Sequence, residues 1–274
     1  MRTVFFAFLA AAFVVATAAP GFAQTVTVNP KRLVFEGRKR ADQAVLINEG
    51  DKKVTYRVFF QEIQKETDGS SNHLKTVPPG YRKASDKVLF SPRQVEIPPK
   101  GNQVIRFFLR KPKDLAEGEY RSYVTFQAVP DENGQTLDDV VLKQGEVSVR
   151  LTPVFGLAIP VIIRQGDVRA STSLSNLSVG KAGGEYKARF KVNREGNGSA
   201  FGNFKALYTP PGGGDATTVG EANGVAVYPE QPYLTFGLKL APPKGVTLAR
   251  GGTIQTLYQD EKGKILAQAR TEVR

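Results

Sequence analysis

The chain contains no cysteine and no tryptophan, one histidine and one methionine. Absent cysteine excludes disulfides, thiolate zinc sites, iron–sulfur clusters and cysteine nucleophiles together. A single histidine excludes multi-histidine metal sites and leaves His73 as the sole candidate for a histidine-based triad. His73 follows the polar stretch Asp68-Gly69-Ser70-Ser71-Asn72, has no ligand at metal spacing, and reads as an exposed loop residue. Asp138-Asp139 and Asp260-Glu261 sit beside turns and read as solvated turn acids rather than paired catalytic carboxylates. The glycine-rich Gly196-Asn197-Gly198-Ser199-Ala200-Phe201-Gly202 has the wrong spacing for a phosphate loop and no helix after it, so a strand turn is expected. No catalytic residue, metal ligand or cofactor site emerges, and the chain reads as a non-enzyme.

What is present begins with a leader. Met1-Arg2 give a basic start, Val4 to Val15 an apolar run, and Gly21-Phe22-Ala23 the small residues a signal peptidase reads. Residues 1–23 are therefore expected to be a cleaved signal peptide, and the mature chain to start near Gln24 outside the cytoplasm. Export without cysteine means that the cores must supply stability unaided. The 274 residues allow one large domain or two of ordinary size, and an apolar content of 41% excludes both a disordered chain and a multi-span membrane protein. The formal net charge is +12, spread over both halves, and the densest like-charge run is Arg38-Lys39-Arg40. A stripe for nucleic acid is missing. The excess reads as a solubilising surface, or more sharply as a cleft for acidic groups or an anionic membrane surface. Two acceptor sequons, at Asn176 and Asn197, matter only in a glycosylating host.

Almost every periodic segment has the strand period of two. Val54, Tyr56, Val58 and Phe60 alternate with Thr55, Arg57, Phe59 and Gln61; Tyr186, Ala188, Phe190 and Val192 alternate with Lys187, Arg189 and Lys191. Turn chemistry separates such runs, as at Pro78-Pro79-Gly80, Pro98-Pro99-Lys100-Gly101 and Glu132-Asn133-Gly134. No helix of ten residues is expected. The reading is all-β, two β-sandwich domains over residues 24–163 and 164–274.

Residues 147–163 are the informative segment. Val147, Val149, Leu151, Pro153, Phe155, Leu157, Ile159, Val161 and Ile163 share one parity. Extended throughout, this segment would reach ~55 Å at about 3.3 Å per residue, against roughly 17–20 Å for an ordinary strand. One sandwich cannot bury the whole row. Pro153 and Pro160 lack the amide donor of a central strand and belong at an edge or a break. The segment is either a core strand running into an interdomain linker or an edge strand whose surplus apolar side chains pair with a partner.

Here the chain resembles the periplasmic chaperones of bacterial chaperone–usher pilus systems, the PapD-like family, and its archaic-type branch above all. Pro30-Lys31-Arg32-Leu33-Val34-Phe35-Glu36-Gly37 is similar to the family's first strand, and Ser91-Pro92-Arg93-Gln94-Val95-Glu96-Ile97-Pro98-Pro99-Lys100-Gly101 to its P-x-x-v-x-l-x-P-G turn. Val104 to Leu109, Gly118-Glu119-Tyr120-Arg121-Ser122, Phe126 to Pro130 and the strand into Ile163-Arg164 follow in family order. The resemblance implies two immunoglobulin-like sandwiches set in an L, no cofactor and no small-molecule substrate. It implies pilin subunits as clients, bound by donor-strand complementation in the periplasm, and an outer-membrane usher as recipient. It makes Val149, Leu151, Pro153, Phe155 and Leu157 the donor residues, and Arg32 one anchor for the client's terminal carboxylate. The family's second anchor, a lysine, falls on Pro160, so Arg121 and Arg164 are its replacement candidates. Glu119 and Arg164 match a structural interdomain salt bridge. A free apolar edge is an aggregation hazard, so self-capping as a homo-oligomer is a further expectation. The rival reading is a secreted two-domain binding module, an adhesin or structural pilus component, that engages ligands through loops.

Overall fold

The computed structural model describes residues 26–130, 140–144, 147–151 and 154–274. The expected leader, Asp138-Asp139 and Pro153 lie outside them. Among the described residues every regular element is a strand. The first half runs β1 (Val26–Asn29), β2 (Leu33–Phe35), β3 (Ala41–Asn48), β4 (Val54–Lys65), β5 (Ser71–Leu74), β6 (Val88–Ser91), β7 (Gln94–Ile97), β8 (Asn102–Leu109), β9 (Gly118–Val129), β10 (Val140–Gln144), β11 (Val147–Leu151) and β12 (Gly156–Gln165). The second runs β13 (Ala170–Ala182), β14 (Glu185–Gly196), β15 (Ala200–Thr209), β16 (Thr217–Val227), β17 (Tyr233–Leu240), β18 (Thr253–Gln259) and β19 (Ile265–Glu272).

Two sandwiches result. In the first, the sheet β1-β3-β8-β6 faces the sheet β2-β12-β9-β4-β5, with β7 paired to the start of β4. In the second, β13-β14-β17 faces β16-β15-β18-β19. Each has its own core, one drawn from Val26 to Ile163 and the other from Ala188 to Val273. β15 shows why: Ala200, Gly202, Phe204, Ala206 and Tyr208 are buried, while Phe201, Asn203, Lys205, Leu207 and Thr209 are half-buried on the other face. β12 carries the first sheet through Gln165, which pairs with Gly118 two residues beyond the boundary expected at 163. The chain crosses between sandwiches over 166–169, where Gly166 has φ +73° and a Cβ would run into the Glu117 carboxylate.

A buried corner in the first sandwich is held by Asn48. Its Nδ2 donates to the carbonyls of Lys52 (2.7 Å) and Pro98 (3.0 Å), and its Oδ1 accepts from the Gly50 amide at 3.0 Å. Asn48→Ala is expected to cost about 2–3 kcal/mol, because the part-buried carbonyls of Lys52 and Pro98, the Gly50 amide and the buried Ile97 carbonyl lose their common partner. Urea denaturation measures it; a loss under half that would show that water replaces the amide.

The long row of residues 147–163 is not one strand. β11 pairs antiparallel with β10, Val149 opposite Leu142 and Leu151 opposite Val140, and β12 begins afresh at Gly156. Side-chain parity alone could not reveal this, because a hairpin arm and a sheet strand share the period of two. His73, read as a loop residue, is exposed as expected but sits in β5, opposite Ile63.

Candidate functional site

β9 breaks the alternation that the other strands keep: it is buried on both faces from Gly118 to Phe126. Tyr120, Val124 and Phe126 enter the first core. Glu119, Arg121 and Tyr123 point the other way and are buried because the second sandwich covers them. Glu119 lies opposite Arg164 on β12, Arg121 opposite Ile162, and Tyr123 opposite Pro160.

The Glu119 carboxylate, only 1% exposed, accepts from the Ser199 amide (3.0 Å), the Ser199 hydroxyl (2.8 Å) and Arg164 Nε (3.2 Å). Glu119 and Arg164 do pair, but as register partners on neighbouring strands of the first sandwich. The reach to the second sandwich is made by the carboxylate, through Ser199, and by Arg164, whose guanidinium also meets the Ser199 carbonyl and Glu36 at 3.4 Å.

Arg121 is the most buried cation of the junction. It grips both carboxylate oxygens of Glu230, donates to the Ile63 carbonyl at 3.3 Å, and lies 3.7 Å from the centre of the Tyr228 ring. Burial alone would lower its pKa; Tyr123, Glu230 and Tyr228 more than offset that and push it up. Glu230 also accepts the Lys65 amide at 3.2 Å. Burial, helped by Arg121 and opposed by Glu230, holds the Lys65 ammonium below its ordinary range. Burial likewise pushes the nearby Tyr81 phenol up to about 12. Gln231 completes the contact, donating to the Glu66 carbonyl at 2.6 Å.

Arg194 organises the second sandwich's side of the junction. Its guanidinium donates to the carbonyls of Gly196 (2.7 Å), Gly198 (3.0 Å), Pro229 (3.1 Å) and Gln231 (3.3 Å), tying the 196–199 turn to the 229–232 turn. The glycine-rich stretch is thus a strand turn. Gly196 has φ +104°, and a Cβ there would strike the Arg169 carbonyl. The Asn197 side chain bonds back to Asp167 and Arg169, so the same turn holds the crossing segment.

Arg32, just before β2, is bound differently. Its guanidinium lies 3.4 Å from the centre of the Phe201 ring and pairs with Glu261 at 2.7 Å. Arg32 is 20% exposed, whereas Glu261, on the turn between β18 and β19, is 64% exposed. Of the three arginines named from sequence, Arg32 alone has no carboxylate inside the junction as a partner among the described residues; Arg164 also meets the exposed Glu36 but keeps the buried Glu119. Arg121 and Arg164 are committed to carboxylates inside the junction.

The second feature is the edge of β12. β9 flanks β12 over its whole length, but β2 joins the other side only at Val161–Ile163. Among the described residues nothing pairs with that side of Gly156 to Pro160. The Ala128 amide bonds the Phe155 carbonyl (2.9 Å), so by antiparallel alternation Gly156, Ala158 and Pro160 turn their backbone groups away from β9. Pro160 therefore sits where a missing N–H costs the sheet nothing. Ile159, Val161 and Ile163 enter the first core, Leu157 packs at its rim, and Phe155 is 50% exposed. The apolar row runs out of the core into solvent. Val149 and Leu151 lie on β11, with their backbone paired to β10.

Sequence reading did not identify Glu230, Ser199, Arg194, Phe201 or Glu261 as parts of the site. Pro229-Glu230-Gln231-Pro232 and Asp260-Glu261 look like ordinary turns, and their roles appear only when the sandwiches meet.

No family model matches the chain, and no curated protein matches it in sequence. Among solved structures, it is similar to the Pseudomonas aeruginosa CupB2 chaperone, at 13% identity and TM-score 0.43, over 90% of this chain and 98% of that one. It is also similar to a chain of the CsuC–CsuE chaperone–tip adhesion subunit complex from archaic Csu pili of Acinetobacter baumannii (12% identity, TM-score 0.44, 90% and 97% covered). A third is a chain of the Salmonella enterica SafA pilin in complex with the SafB chaperone (15% identity, TM-score 0.42, 93% and 99% covered).

Proposed function

We propose that this chain is a periplasmic chaperone of pilus assembly, not an enzyme, which binds pilin subunits by lending them a strand and passes them to an outer-membrane usher. The observation that carries the reading is the open side of β12, from which an apolar row runs out of the first core through Leu157 to the exposed Phe155. An immunoglobulin-like subunit that lacks a strand needs what this edge offers: a backbone ladder and side chains at every second position. Burying four such side chains is worth on the order of 6–12 kcal/mol before ordering costs. The sequence resemblance, which runs through motifs from Pro30 to Arg164 and takes in this segment, supports the reading.

Arg32 is the anchor for the client's terminal carboxylate. Exchanging the exposed Glu261 for a client carboxylate keeps the guanidinium paired and on Phe201, and each charge-assisted bond is worth ~1.5–3 kcal/mol once water is excluded. Arg121 and Arg164 hold the two sandwiches at a fixed angle around that anchor. Val149 and Leu151 reach a client when β11 exchanges β10 for the subunit's strand.

Periplasmic co-expression with a pilin-like protein encoded beside it, followed by co-purification, tests this. A one-to-one complex is expected, abolished by Leu151→Asp and weakened about tenfold or more by Arg32→Ala. A complex indifferent to Leu151→Asp, or glycan binding through loops in place of a complex, would overturn the proposal in favour of an adhesin.

A further inference from the structure

Part of the positive charge is gathered in one place that strand donation does not use. Three loops of the first sandwich, around 36–40, 82–87 and 110–117, meet at one end of it. Two backbone bonds hold them edge to edge: the Leu109 amide to the Arg40 carbonyl (2.8 Å) and the Arg110 amide to the Lys87 carbonyl (2.7 Å). Between them lies a groove lined by Arg40, Lys87, Arg110, Lys111 and Lys113, with Asp86 the one acid in its wall. Asp86 is taken by Lys87 at 2.8 Å. Lys111 donates to the neutral Gln165 side chain, and Arg40 to the carbonyls of Gly37 and Lys39. Arg110 and Lys113 are exposed and have no ion pair among the described residues. The groove therefore keeps an uncompensated excess of positive charge.

An apolar element lies against it. Leu89, in the groove wall, is 50% exposed, and Phe108, its register partner on the neighbouring strand, is 48% exposed. Arg40, Arg110 and Lys113, none of them ion-paired among the described residues, lie beside two half-exposed apolar side chains and match the interface of an anionic bilayer. There, phosphate headgroups take the lysines and arginines, and the acyl boundary takes the apolar pair.

We infer that this end of the first sandwich is a reversible docking site for an anionic phospholipid surface, with Arg40, Arg110 and Lys113 on the headgroups and Leu89 and Phe108 at the boundary. The site lies outside the β12 edge and does not depend on the chain being a chaperone. Docking would keep the protein on a membrane surface while leaving the strand edge free.

Co-sedimentation of the purified chain with phosphatidylglycerol-containing vesicles, against pure phosphatidylcholine vesicles, tests it. Binding to the anionic vesicles alone is expected, falling as salt rises. Arg40→Gln/Arg110→Gln/Lys113→Gln is expected to weaken it about a hundredfold. Arg250→Gln/Lys262→Gln/Lys264→Gln, which removes as many exposed charges from the second sandwich, is expected to leave most of it. Should the first variant lose its melting transition, Arg110→Gln/Lys113→Gln carries the test with an expected tenfold or greater loss. Equal weakening by both triple variants would mean that net charge acts without a site. Binding to polyglutamate with none to anionic vesicles would mean that the groove takes an acidic protein. Either result overturns the inference.

Discussion

Glu230→Ala is expected to destabilise the protein by about 3–5 kcal/mol, and Arg121→Met by markedly less. The two residues form one ion pair, yet their surroundings differ. Arg121 is 6% exposed and Glu230 is 23% exposed. An arginine cannot shed its proton when its partner is removed, so Glu230→Ala strands a full charge with the Ile63 carbonyl and the rings of Tyr228 and Tyr123 beside it and no carboxylate. Arg121→Met fills similar volume and leaves Glu230 with the Lys65 amide and a path to water. The double variant should recover most of what Glu230→Ala loses, since it no longer buries a lone cation. Urea denaturation of the three variants decides it; equal losses from the two single changes would refute the asymmetry. Because the pair spans the two sandwiches, small-angle scattering of Glu230→Ala below its transition should also show a broadened shape.

The second large effect is expected inside the second sandwich. Phe204 is 1% exposed, and its ring stacks on Tyr258 at 4.5 Å between centres, on Phe236 at 5.2 Å, and meets Phe190 edge-on at 4.9 Å. Phe204→Ala removes the ring that the other three share and should cost about 3–5 kcal/mol. The gap cannot close readily, because the Tyr258 hydroxyl is tied to the Val225 carbonyl at 2.9 Å. Phe236 is half-buried at the margin of the same group, and Phe236→Ala should cost about half as much. Thermal melts of the two variants compare them directly. Near-equal costs would mean that the core repacks around the lost ring.

Those four rings lie on β14, β15, β17 and β18, and part of this was legible: alternation places Phe190 on an inward face without knowledge of the fold, whereas the strand that carries Phe204 begins inside a glycine-rich stretch that reads only as a turn. Alternation also gave the all-β class and the apolar row from Ile159 to Ile163. It failed where the burial of a side chain is decided by the other sandwich. Glu119, Arg121 and Tyr123 have the parity of solvent-facing residues, and nothing local says that Ser199, Glu230 and Tyr228 will cover them. Their partners stand far along the chain, on turns that read as solvent-exposed. The row of residues 147–163 misled for a different reason. Period two reports which face a side chain takes, not which strand lies beside it, so the division between a hairpin arm at 147–151 and a sheet strand from 156 left no trace in the pattern. Arg32 was named by the family resemblance of the segment around Leu33-Val34-Phe35, whereas Glu261, its counter-ion, carried no signal beyond being an acid beside a turn.

The placement of Pro160 bears on how copies of this chain behave at high concentration. An unpaired strand side is normally an invitation to endless stacking, each molecule adding its own edge to the last. Here an incoming strand meets amide donors at Gly156 and Ala158, then none at Pro160, and three residues of β2 occupy the ladder from Val161 onward. Among the described residues only Gly156 to Pro160 of that side is open, so two copies that met there would pair over a short stretch and not along the whole of β12. An open stretch this short, ended by an imino acid and then by β2, limits how far strand stacking can run from one copy to the next.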